Sequence, residues 1–112
     1  MRLGVLKEPD GENRVSLIPN SYKKLNKLGF ELTVESGAGV ISHYSDNEYQ
    51  SAGFTVSDKT SVLESEIVVS ISTPDLSNAK EGQIYVCISD PFRNPSMVKQ
   101  AIEKKITLIS MD

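Results

Sequence analysis

The chain has 112 residues, of which 38% are hydrophobic and 24% charged, and its net charge is −3. These values fit one soluble globular domain and exclude both a two-domain enzyme and a disordered chain. The acidic balance and the lack of a basic run argue against nucleic acid as a partner, and a single cysteine, Cys87, excludes an intrachain disulfide.

Met1-Arg2-Leu3 runs directly into an apolar segment, with no signal peptide pattern. No apolar run approaches the ~20 residues that span a bilayer. The expectation is a cytoplasmic chain that works beside a membrane if it works at one.

Residues 2–6 read as a strand, and Glu12-Asn13-Arg14-Val15 lies in the loop that follows. A helix over 19–28 opens at Pro19, carries Tyr22, Leu25 and Leu28 on one stripe, and stops at Gly29. Residues 30–35 read as a second strand, and Ser36-Gly37-Ala38-Gly39 as the turn after it. Ser45-Asp46-Asn47-Glu48 fits a capping box and starts a short helix that ends near Gly53. A strand over 54–57, a short helix over 60–64 and a strand over 66–71 follow. Residues 83–88 form a fifth strand. Asn94-Pro95 pairs an N-cap with proline at the first helical position. That helix is expected to bury Met97, Val98, Ala101 and Ile102, and to end in Lys104-Lys105, which complement its dipole. Residues 106–110 make the sixth strand.

Strands alternating with helices predict an α/β fold: a doubly wound, mainly parallel sheet of about six strands. The runs Ile67-Val68-Val69 and Ile84-Tyr85-Val86-Cys87-Ile88 predict strands buried on both faces. The whole chain, 1–112, reads as one domain with no repeat and no linker.

Ser36 to Ser42 places glycines after a strand, but the third position of a G-x-G-x-x-G pattern is Ser42 and helix signals begin only at Ser45. A dinucleotide fingerprint must open its helix directly, so a tight turn is the better reading. Arg14 is the leading functional candidate, since open α/β sheets hold ligands at the carboxyl ends of their strands and a guanidinium grips a carboxylate with two hydrogen bonds. The alternative for Arg14 is a salt bridge to Glu8, Asp10 or Glu12. Asp90 and Arg93, after the fifth strand, could line a cleft or cap a turn, and the turn is preferred. His43 reads as a surface residue and Cys87 as a small core residue. One Cys and one His make no metal site.

Taken together, Glu12-Asn13-Arg14-Val15, Val34-Glu35-Ser36-Gly37-Ala38-Gly39, Ser45-Asp46 through Ala52-Gly53, and Asn94-Pro95 through Met111-Asp112 carry a family resemblance. The chain resembles the N-terminal domain of the alanine dehydrogenase and pyridine nucleotide transhydrogenase family, and its last part is most similar to the transhydrogenase α subunit. The resemblance implies a flavodoxin-like three-layer sandwich. It implies one wall of a cleft that binds NAD(H) together with a Rossmann lobe, which this chain lacks. No tight NAD(H) binding is expected from this chain alone. The implied partners are a second copy of the chain, an NADP-binding β subunit and a proton-translocating membrane domain, which would place the protein beside the inner membrane. Arg14 falls where alanine dehydrogenases hold the substrate carboxylate. Their catalytic lysine matches Ser72, a second family lysine matches Ser70, and their catalytic histidine matches Asp90. Those departures favour hydride transfer between nicotinamides, which needs no acid-base group, over amino-acid oxidation. The alternatives are a fragment of an alanine or saccharopine-type dehydrogenase, or a stand-alone non-catalytic binding or assembly module.

Overall fold

Six strands form one sheet: β1 (Arg2–Val5), β2 (Glu31–Glu35), β3 (Thr55–Ser57), β4 (Ile67–Ser70), β5 (Ile84–Cys87) and β6 (Thr107–Ser110). The computed structural model describes residues 1–72, 74–87 and 95–110, and only the backbone of Pro95 and Met97. The strand order is β3-β2-β1-β4-β5-β6, and every pairing is parallel. The doubly wound α/β sheet is therefore as expected, and parallel throughout. With the short edge strand β3 set aside, the order is the 2-1-3-4-5 of flavodoxin-like sheets; with it, the order is 3-2-1-4-5-6. Either way the direction of winding reverses between β1 and β4.

The sheet is covered on both sides. Leu3 and Val5 of β1 pack with Leu32, Val34, Tyr49 and Phe54 beneath α1 (Tyr22–Lys27) and α2 (Asp46–Ala52). Leu6, Val68, Tyr85 and Cys87 pack on the opposite face with Val62 of α3 (Lys59–Leu63), Leu76 and Ala101 of α4 (Pro95–Glu103). Each fully buried large side chain contributes about 1.5–3 kcal/mol. Cys87 is a core residue, as expected.

The continuous apolar runs predicted burial on both faces for β4 and β5, but β1 and β2 are the strands that come nearest to it. In β4 and β5 burial alternates instead. Ile67, Val69, Ile84 and Val86 are half-buried and Ile109 is 42% exposed. The reason is coverage: α1 and α2 lie over the β1–β3 half of that face, and no described helix lies over the rest.

The helix signals were mostly realised. A 3-10 turn, Pro19–Ser21, leads into α1, and Gly29 takes the positive φ of +96° that ends it. Tyr22 and Leu25 pack on the core. Leu28 does not: it is the C-cap of a six-residue helix, turned outward and 72% exposed. Ser45 and Glu48 form the capping box, with both hydrogen bonds at 3.2 Å. The third helix starts one residue early because Asp58 caps it through the Ser61 amide, at 2.9 Å. In α4 Ala101 is buried and Val98 half-buried, but Ile102 is 73% exposed, since it lies roughly 100° round the helix from Ala101. Lys104 and Lys105 directly follow the last residue of α4, and their ammonium groups reach Ser77 O at 2.6 Å and Glu81 at 3.6 Å.

Gly4 explains how closely α3 can approach β1. A Cβ there would lie 2.6 Å from Ser65 Oγ and 2.7 Å from Val62 O. Gly4→Ala is therefore expected to destabilise the fold by about 1–3 kcal/mol, read as a lower urea midpoint with an unchanged slope.

Candidate functional site

The carboxyl ends of β1, β2 and β4 lie side by side, and at the reversal between β1 and β4 the loops that leave them part. The space between holds about 390 Å³. Its walls carry Lys7 and Glu8 after β1, Glu35 at the end of β2, Lys59 at the start of α3, and Ser70 and Ser72 at the end of β4. This is the position where open α/β sheets hold ligands.

Glu8 is buried, and both of its oxygens are engaged. Oε2 accepts from the Ile71 amide at 2.8 Å and Oε1 from the Ser72 amide at 2.9 Å. Ser70 is buried too, and its hydroxyl donates to Ser72 O at 2.7 Å. The β4 end is thus held by the loop after β1 and by its own side chain.

Glu35 differs. Its Oε1 is buried and finds no donor among the described residues. Burial pushes its carboxyl above the usual range; the nearby Lys7 backbone and the charges of Lys59 and Lys7 act in the opposite direction. Neither ammonium group makes a hydrogen bond or ion pair among the described residues.

Of the residues singled out from sequence, Ser72 lines this cleft. Arg14 does not: its side chain is 69% exposed and grips Glu12, with Nε to Oε1 and Nη2 to Oε2 both at 2.9 Å. Those hydrogen bonds hold the Glu12 carboxyl down at about 2. Asp90 and Arg93 lie outside the described residues. His43 is exposed, as expected. No group of three or more ligating side chains could hold a metal among the described residues.

The turn after β2 is no nucleotide loop. Its helix begins only at Asp46, and the Asp46 carboxylate already accepts from the Gly37 amide at 2.9 Å and the Ser36 hydroxyl at 2.7 Å. A phosphate would meet that carboxylate, whose own pKa is lowered by the two hydrogen bonds, the Gly37 amide first.

Sequence reasoning passed over Lys7, Glu35 and Lys59, and weighed Glu8 only as a partner for Arg14. The available signal was position: Lys7 and Glu8 directly follow β1, and Glu35 ends β2.

Two outcomes follow from this geometry. Glu8→Ala leaves two amides without their acceptor, so a stability loss of about 1–3 kcal/mol is expected, together with faster hydrogen exchange at Ile71 and Ser72. Glu35 binds a proton more readily in the folded chain than unfolded, so its ionisation lowers stability as pH rises from the ordinary 4.5 through its raised value. Glu35→Gln should therefore match wild type below pH 4.5 and become progressively more stable than it above, as read by thermal melts across pH.

The model of the family described as "Alanine dehydrogenase/PNT, N-terminal domain" matches residues 4–112. Among curated proteins, the NAD(P) transhydrogenase subunit alpha of Haemophilus influenzae is 29% identical over the whole chain, which spans 23% of that protein. The subunit of the same name from Cereibacter sphaeroides is 32% identical, again over the whole chain and 23% of its own length. The solved transhydrogenase from Sinorhizobium meliloti superposes with a TM-score of 0.92 at 30% identity, over 99% of this chain and 35% of that one. A solved L-alanine dehydrogenase gives 0.89 at 25% identity, over 98% and 32%. The chain thus spans about a quarter to a third of these relatives.

Proposed function

Because this chain belongs to the alanine dehydrogenase/PNT family through its N-terminal domain, we propose that it is the first lobe of an NAD(H)-binding transhydrogenase α component. The observation that carries this reading is the superposition on a transhydrogenase over 99% of the chain, at a TM-score of 0.92. In this reading the cleft at the β1/β4 reversal is one wall of a larger site completed by a second, dinucleotide-binding lobe. Hydride passes there between NADH and NADP+, the latter held by a partner subunit, and the transfer is coupled to proton translocation by membrane segments elsewhere.

The residues present do not fit a whole dinucleotide. The glycine turn offers no helix N-terminus, its amide is taken by Asp46, and about 390 Å³ accommodates only a small ligand or one end of a larger one. The pyrophosphate grip therefore belongs to another lobe, and the chain alone is not the catalyst. Arg14, Ser72, Asp90 and Arg93 are proposed to face that second lobe.

The serines support transhydrogenase over amino-acid oxidation. Ser70 donates its hydroxyl inward, and Ser72 brings no ammonium group that could act as an acid. No described helix is long and apolar enough to cross a membrane, and the proposed membrane association runs through partner subunits on the cytoplasmic side. The half-covered outer face of β4, β5 and β6 supports association with further chain, including a second copy.

The test fuses this chain to the remainder of a transhydrogenase α subunit and follows NADH-dependent reduction of NADP+ in the assembled complex. Hydride transfer by the fusion, and none by the 112 residues alone, is expected. A folded fusion that binds NADH but transfers no hydride would overturn the reading. Alanine-dependent reduction of NAD+ after Ser72→Lys and Asp90→His would favour a dehydrogenase instead.

A further inference from the structure

We draw no further inference here: the strongest candidate, the half-covered apolar face of β4, β5 and β6 on which Val69, Val86 and Ile109 lie side by side, carries nothing, because nothing in the structure shows what covers it.

Discussion

Two hydrogen bonds from the amides of Ile71 and Ser72 to the Glu8 carboxylate set the shape of the cleft. The ladder between β1 and β4 ends with the Leu6 amide on Val69 O, at 3.1 Å. Beyond it the two chains turn away in opposite directions, and their backbone groups need other partners. Glu8 meets that need where little water reaches, so an unpartnered amide there would be costly. One carboxylate thereby holds the β4 end against the loop after β1. Ser70 completes the arrangement by bonding to Ser72 O, so the residues at the β4 end are fixed by the fold rather than held ready for a ligand.

The other wall depends on α3. Gly4 allows the helix to approach β1 more closely than any side chain would permit. Arg2 then fastens it from the amino end of the sheet, with Nε on Ser65 Oγ at 3.2 Å and Nη2 on Ser61 O at 3.0 Å. Gln83 satisfies carbonyls at the far end of the helix, Leu63 O at 2.7 Å and Ser65 O at 2.9 Å. These contacts lie away from the cleft, yet they determine where the first residue of the helix, Lys59, stands relative to Glu35. A five-residue helix has little stability of its own, so its position is set by these tertiary contacts.

The fold was legible because it rests on local signals. Alternating apolar runs, the Ser45 capping box and Gly29 each act within a few residues, and all were readable. Leu28 and Ile102 were misplaced because a periodic stripe does not show where a short helix stops or how far the sheet extends beneath it. The resemblance identified the family, but the site was read through Arg14, whose role depends on which carboxylate it meets. Glu35 and Lys59 are 24 residues apart in sequence, and nothing in either segment announces the other. Only the parallel pairing of β1 with both β2 and β4 brings them to one cleft.

Glu8 and Glu12 show how environment divides one residue type between two roles. Glu8 is buried, and removing its partners would leave polar groups stranded, so it holds its place. Glu12 and Arg14 form their pair at the surface, where water competes for both groups and exposed pairs contribute little. With its carboxyl held at about 2, Glu12 stays ionised throughout the neutral range. The pair therefore leaves Arg14 at the surface in the loop after β1, while the buried Glu8 carboxylate ties that loop to the end of β4.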